Sequence, residues 1–415
     1  MVRGLLDDFE ARGLVADASQ GLGEHVASGS RTLYVGFDPT ADSLHVGSLL
    51  PLLALRRAQL AGHRPIVLVG GGTGLIGDPS GKSGERALNP KDVVREWAER
   101  LKRQVSPFLD FECGRLSAIL ADNFEWISEL DVLSLLRDVG KHFSLGVMLA
   151  KESVKTRLQT GISYTEFSYQ VLQAYDFLCL LRRDGCTVQM GGSDQWGNIT
   201  AGVDLIRRVE RRATFGLTLP LVTKSDGSKF GKTESGTIWL DPERTSAYEM
   251  YQFWLNTADT DVVPFLKYFT FLPLERVGEL AEVTRTSPER REAQRVLART
   301  VTELVHGPAA LREAEAFSTV LFRGHPAEVL SEGAAVPGAV LPKEAATWPL
   351  WKLLSKAVER AGASMSTSEA RRLIQQGGVE VDGRRATGIE QQTPGGPHTV
   401  RIGKRRIYRV IIELS

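Results

Sequence analysis

Residues 31–62 read RTLYVGFDPTADSLHVGSLLPLLALRRAQLAG. Their first third, RTLYVGFD, is built from β-branched and aromatic residues, their last half is leucine-rich, and a polar turn around Pro39 joins the two. Strand, turn and helix in that order are the repeating unit of a parallel sheet. RPIVLVGGG (64–72), CTVQMGG (186–192) and the region around LTLPLVT (217–223) repeat the strand signal, each with a glycine-containing turn. Helical patterns lie between them. Residues 30–235 are therefore expected to form a doubly wound parallel sheet, whose ligands bind beyond the carboxyl ends of the strands.

At 415 residues the chain is too long for one core, and two or three domains are expected. From about Ser246 to Phe322 the period is helical, as in AYEMYQFWLNT and RREAQRVLARTVTELVHG. GHPAEVLSEGAAVPGAVLPKEAATWP (324–349), rich in Gly, Ala and Pro, reads as a linker. From Trp348 helical signals give way to short basic strands around Gly403. The expected division is a catalytic domain over 1–240, a helical domain over 241–325, a linker over 326–347 and a terminal domain over 348–415.

Net charge is only +1, but residues 366–415 hold nine Lys and Arg against five Asp and Glu, so the tail is basic and the body is not. No apolar run approaches the ~18 residues that span a bilayer, and the start, MVRGLLDDFEARG, lacks the pattern of a signal peptide. A cytoplasmic protein without a membrane segment is expected. Cys113, Cys179 and Cys186, without metal-ligand spacing, read as reduced core thiols.

Within the opening stretch, Tyr34, Gly36 and Asp38 share one face of a strand, a face receptive to a polar ligand. Pro51 is expected in the first turn of the following helix, which would begin near Gly47 or Ser48. His45 then lies just outside a helix N-terminus, where free amides favour an anion, with Gly47 allowing close approach. A solitary histidine is more often structural until a second anion-binding element appears. TKSDGSKFGKTESG (223–236) is such a candidate, because Lys229, Lys232 and Thr233 lie among glycines that prevent a packed element. In TEFSYQVLQAYDFLCLL (165–181), Tyr169, Gln173 and Asp176 fall on one face of a mostly apolar helix, facing either water or a polar ligand.

VLVGGGTGLIGDPSGKSGER (67–86) imitates two nucleotide motifs. Gly72, Gly74 and Gly77 have the spacing of a dinucleotide fingerprint, but Asp78, Pro79, Ser80 and Gly81 break the helix that such a fingerprint must open. Gly77, Gly81, Lys82 and Ser83 have three residues between the glycines where a P-loop needs four. Lys82 and Arg86 can still close over phosphates.

Taken in order, Y-V-G-F-D-P-T-A-D-S-L-H-V-G, G-D-P-S-G-K-S-G-E-R, Y-x-x-x-Q-x-x-D, G-G-S-D-Q-W-G-N and K-F-G-K-T closely resemble the bacterial tyrosyl-tRNA synthetase family. H-V-G-S stands where class I synthetases carry HIGH, and K-F-G-K-T where they carry KMSKS. The tail, with E-A-R-R-L-I-Q-Q-G-G-V and R-I-G-K-R-R-I-Y-R-V, is similar to an S4-like RNA-binding domain. The resemblance implies a Rossmann-like sheet, a helical domain and a small α+β S4-like domain. A tryptophanyl enzyme, a non-catalytic RNA-binding relative and a dehydrogenase are the rivals. A tryptophanyl enzyme would not place Tyr34 and Asp176 at a phenol, and a non-catalytic relative would have eroded the cations.

What the resemblance implies is tyrosine-tRNA ligation: L-tyrosine and ATP give tyrosyl-adenylate and pyrophosphate, and tyrosine then passes to the terminal adenosine of tRNA(Tyr). Thr40, His45, Lys82, Arg86, Lys229, Lys232 and Thr233 would stabilise the phosphates. Tyr34 and Asp176 would meet the phenol, and Asp78, Tyr169 and Gln173 the ammonium, with Gln195 along the rest of the tyrosine. Gly36, Asp38, Gly47, Ser48, Gly192, Asp194 and Lys232 would line ATP, and Arg371, Arg372, Lys404, Arg405 and Arg406 would contact RNA. Mg²⁺ would travel with ATP, with no protein metal site, and the enzyme would be a homodimer. Val35, Ser48 and Pro51 depart from the family pattern around the nucleotide.

Overall fold

The computed structural model describes residues 4–80, 88–149, 154, 161–225, 227, 230–233, 236–323, 338–361, 365–403 and 406–414. The chain forms two compact units, Met1–Thr237 with Val263–Gly278, and Ile238–Val262 with Glu279–Ser415.

The first unit is organised by a six-stranded sheet of β1 (Asp17–Ala18), β2 (Thr32–Phe37), β3 (Arg64–Val69), β4 (Ile119–Asp122), β5 (Cys186–Gly192) and β6 (Phe215–Leu219), in the order β1-β6-β5-β2-β3-β4. The four expected strands are the inner ones. Two more flank them: β4 extends the parallel set, and β1 pairs antiparallel with β6, so the sheet is mixed at one edge. Reading outward from β2, the chain runs to β3 and β4 on one side, and β5 and β6 build the other. The switch point therefore lies between the carboxyl ends of β2 and β5, where Asp38 and Gly192 emerge.

Strand alternation sorts the sheet's two faces. Tyr34, Ile66, Leu68 and Ala121 pack against Phe177, Leu181, Leu205 and Ile206 from the helices Tyr164–Asp184 and Trp196–Glu210. Leu33, Val188, Met190 and Leu217 meet Leu5, Phe9, Leu22 and Val26 on the other face.

The helix after β2 runs Val46–Leu60, capped by His45. It begins one or two residues earlier than expected, and Pro51 is its sixth residue, beyond the first turn. Proline marked the region but not the exact start, because the missing amide costs only one ladder bond, to the Gly47 carbonyl. Near the other end of this helix, buried Arg57 donates to the carbonyls of Lys267 and Thr270 and stands 4.7 Å over the Phe271 ring. Arg12 donates to the Leu272 carbonyl at 2.9 Å. These bonds tie residues 263–278 to a unit from which the intervening residues 238–262 have departed.

The second unit contains the helices Ala247–Leu255, Leu274–Thr286 in its later part, and Glu292–Arg323. The last is broken at Gly307, whose φ of 84° interrupts it just before Pro308. A terminal five-stranded sheet follows, made of β9 (Gly338–Leu341), β10 (Val379–Val381), β11 (Arg384–Arg385), β12 (Gly396–Ile402) and β13 (Arg406–Ile412). The short hairpin of β7 (Lys232–Thr233) and β8 (Gly236–Thr237) belongs to the first unit. Part of the stretch read as linker is thus structured. Gly338–Leu341 pairs in parallel with β13, burying Ala339 and Leu341 while Gly338 and Val340 stay exposed. The period-2 pattern was there, hidden among prolines and glycines. Residues 326–337 of that linker lie outside the described residues. The helices Leu350–Arg360 and Thr367–Gln375 cover the terminal sheet through Leu353, Leu354, Ala357, Ala370 and Ile374.

Candidate active site

At the switch point a cavity of about 580 Å³ opens between β2 and β5. Tyr34, Gly36, Asp38, Thr40, His45, Gly47, Ser48, Asp78, Tyr169, Gln173, Asp176, Gly192, Asp194 and Gln195, all named from the sequence, line it. Gly36 offers bare strand backbone, with nothing within 4 Å of where a Cβ would stand.

The deep end is built by Tyr34 and Asp176. Among the described residues the buried Tyr34 hydroxyl has no hydrogen-bond partner. Asp176, fully buried on the Tyr164–Asp184 helix, accepts from Trp126 Nε1 at 2.7 Å and Asn123 Nδ2 at 2.9 Å. Burial is the main cause that pushes its carboxyl up to about 7; the charges of Asp38 and Asp122 push the same way, and the two donated bonds oppose them. Burial likewise raises the Tyr34 phenol, with Asp176 adding to the effect.

Asn123 ties this end to the side wall. Its Nδ2 also donates to Thr73 Oγ1 at 2.9 Å, Thr73 donates to Asp38 Oδ1 at 2.7 Å, and its Oδ1 accepts the Gly72 amide at 2.7 Å. Tyr169 completes the chain by donating to Asp38 Oδ2 at 2.6 Å. The side chains expected at ammonium and at nucleotide are thus joined directly.

The glycine run 70–72 makes room for this wall. A Cβ on Gly70 would lie 1.9 Å from Asp38 Oδ1, and one on Gly71 would lie 2.3 Å from Asp122 Oδ1. Of the glycines that imitate a dinucleotide fingerprint, Gly72 packs against Ile127 and Asn123 and Gly74 against Pro39, so side chains sit where a pyrophosphate would have to lie. Thr73–Leu75 forms a 3₁₀ turn there, not a helix.

A second network holds the mouth. Gln195 donates to Asp78 Oδ2 at 2.6 Å, Gln173 donates to Gln195 Oε1 at 3.3 Å, and Asn198 donates to Gln173 Oε1 at 3.0 Å. Asp78 Oδ1 accepts the Ser80 amide at 2.9 Å.

His45 caps its helix, with Nδ1 accepting the Gly47 amide at 3.0 Å. Gly47 is required here for the cap itself, since a Cβ would lie 2.7 Å from the His45 ring. Lys82, Arg86 and Lys229 lie outside the described residues, as do Lys404 and Arg405. Lys232 and Thr233 form β7, directly after Phe230 and Gly231. On the terminal domain Arg371 and Arg372 are exposed on the Thr367–Gln375 helix, and Arg406 opens β13. Arg371 lies 4.3 Å over the Trp351 ring.

Asn123, Trp126, Thr73, Gln189 and Asn198 were not anticipated. Gln189 lines the cavity with a buried Oε1 that has no hydrogen-bond partner among the described residues. A polar residue at a buried position of β5 was the signal available for it. The first two follow β4, the strand that went unread. Among the described residues no three metal-ligating side chains gather.

Residues 28–323 match the family model described as tRNA synthetases class I (W and Y), and residues 354–388 match the S4 domain. The tyrosine-tRNA ligase of Desulfitobacterium hafniense is 56% identical over 393 residues, spanning 92% of this chain and 92% of the relative. Tyrosine-tRNA ligase 1 of Bacillus subtilis is 51% identical over 416 residues, spanning 98% and 99%. Among solved structures, a C-terminally truncated mitochondrial tyrosyl-tRNA synthetase of Aspergillus nidulans is similar at a TM-score of 0.71 and 31% identity, covering 77% of this chain and 94% of that one. With a matching catalytic model, an S4 domain and a cavity ending in a buried phenol and carboxyl, the chain belongs to the class I tRNA synthetases of the W and Y group and, within it, to the tyrosine-tRNA ligase family.

Proposed function

We propose that this chain activates L-tyrosine with ATP, forming tyrosyl-adenylate and pyrophosphate, and then transfers tyrosine to the 3′-terminal adenosine of tRNA(Tyr). The observation that carries the choice of amino acid is the deep end of the cavity, where the unpartnered Tyr34 hydroxyl and the Asp176 carboxyl wait for a group that can both donate and accept. A phenol does both. Phenylalanine would leave buried polar groups unmet, at about 1–3 kcal/mol each. The indole of tryptophan can donate but has no oxygen to accept with.

In this reading Asp78, Tyr169 and Gln173 receive the ammonium group, and Gln195 lies beside the carboxylate. That carboxylate is itself the nucleophile, so the enzyme needs no catalytic base. It attacks the α-phosphorus, the bond to the bridging oxygen breaks, and pyrophosphate leaves. Thr40, His45, Lys82, Arg86, Lys229, Lys232 and Thr233 supply cations and donors to the growing charge. Gly36, Asp38, Gly47, Ser48, Gly192 and Asp194 line the nucleotide, with Mg²⁺ arriving on ATP. Arg371, Arg372, Lys404, Arg405 and Arg406 meet the tRNA.

The active form in this reading is a homodimer. Val132, Leu133, Leu136, Leu145, Val147 and Tyr164 are all more than half exposed within one stretch of the chain, as residues that await a second copy are. No described helix is long and apolar enough to cross a membrane. The same reading puts the enzyme in the cytoplasm, alongside its tRNA.

Amino-acid-dependent exchange of pyrophosphate into ATP tests the reaction. Tyrosine should support it and phenylalanine and tryptophan should not; exchange driven by tryptophan would overturn the assignment.

A further inference from the structure

Between the lysines of K-F-G-K-T stands a side chain that the chemistry above leaves unused. The Phe230 ring stacks on Phe269 at 5.3 Å and 12°, and meets Phe265 edge-on at 5.1 Å and 66°. Phe265 and Phe269 are buried, 5.9 Å apart, one turn from each other on the Asp259–Phe269 helix. Three rings close a triangle.

The next residue, Gly231, has φ of 76°, and a Cβ there would lie 2.8 Å from Val46 Cγ2 and 3.9 Å from the Gly47 amide. The backbone leading into Lys232 is therefore held between an aromatic stack and the mouth of the His45 helix. The stack is held in turn. Arg57, near the far end of that same helix, donates to the carbonyls of Lys267 and Thr270, which flank Phe269. One helix thus carries His45 at its mouth and, near its other end, the arginine that fixes the support of the second signature.

We propose that Phe265 and Phe269 are positioning residues for the phosphate half of the reaction. Through Phe230 they set where the backbone of residues 230–233 stands relative to His45, and Arg57 sets where the two rings stand. This deepens the reading under Proposed function and rests on it. Phe230 lines the cavity, while Phe265 and Phe269 do not. Loss of the stack should therefore slow adenylate formation without touching tyrosine binding.

The test compares Phe265→Leu, Phe269→Leu, Phe230→Leu and Phe230→Tyr in the full-length protein. It reads pyrophosphate exchange at varied ATP and tyrosine, together with tyrosine affinity by fluorescence titration. Each leucine variant should lose roughly tenfold in kcat, the size expected for a lost aromatic pair, with KM and Kd for tyrosine unchanged. Phe230→Tyr, which keeps the ring, should recover most of the rate. The double variant Phe230→Leu with Phe269→Leu should be no slower than the slower single.

Wild-type rates in the leucine variants, tyrosine affinity falling in step with kcat, or losses that multiply in the double variant would overturn the proposal. If a buried position fails to fold, Phe230→Leu against Phe230→Tyr carries the same comparison, since Phe230 is only half-buried. A wild-type enzyme that exchanges with no amino acid overturns both this proposal and the reading beneath it. A wild type active with tyrosine beside unaltered variants overturns the proposal alone.

Discussion

Asp176 concentrates the site's electrostatics in one side chain. Its folded value of about 7 stands above its ordinary 3.8, so the folded chain binds this proton more tightly than the unfolded chain does. The resulting stabilisation is fully present below the ordinary value and fades as pH rises toward 7. The ligand-free wild type should therefore lose more melting temperature between pH 5 and pH 8 than Asp176→Asn, whose amide does not titrate. Parallel losses in thermal unfolding would mean that Asp176 is ionised throughout. At this scale the sequence was generous where periodicity aligned polar residues. Tyr169, Gln173 and Asp176 stood out because three polar groups on one face of an apolar helix need partners. Trp126 and Asn123 did not, because nothing local distinguishes a residue that serves a carboxyl 50 or more positions away.

Among elements, the turn after β3 shows how a motif can mislead and still be informative. Gly72, Gly74 and Gly77 were noticed for their spacing, yet it is Gly70 and Gly71 beside them that leave space for carboxylates arriving from β2 and β4. Gly70→Ala should displace Asp38 from both Tyr169 and Thr73. We expect about 1–3 kcal/mol of destabilisation, visible as a lower melting temperature, together with reduced exchange activity. Gly278→Ala is the control, because nothing lies within 4 Å of its added Cβ and its helix favours alanine. An equal response from both would remove the steric account. The inner strands were legible because they are long, apolar and closed by glycine turns. β4 is four residues with only Ala121 fully buried, and β1 is two exposed residues, so neither carries a pattern. The strand at 338–341 was masked by its neighbours' composition.

For the whole molecule, the basic tail and the slightly acidic body were visible in composition alone, and the tail's charge coincides with the S4 match. The apolar face proposed for a second copy was not visible, because exposed leucines look like any others until a fold leaves them outside. Leu133→Asp combined with Val147→Asp should convert a dimer to monomers in sedimentation. A wild type that sediments as a monomer, or a dimer untouched by both charges, would remove this face from the interface.

The bonds from Arg12 and Arg57 to carbonyls between Lys267 and Leu272 also set an order of events. Domains commonly fold as the ribosome releases them, at ~5–20 residues per second. Here every strand of the first sheet has been made by Leu219, but the carbonyls that satisfy two buried arginines have not. The nascent sheet must wait with those guanidiniums held by Asp8 alone while a segment destined for the other unit passes through the exit tunnel. Chain breaks or premature stops between residues 238 and 262 should therefore yield not a shorter enzyme but one whose first unit never closes.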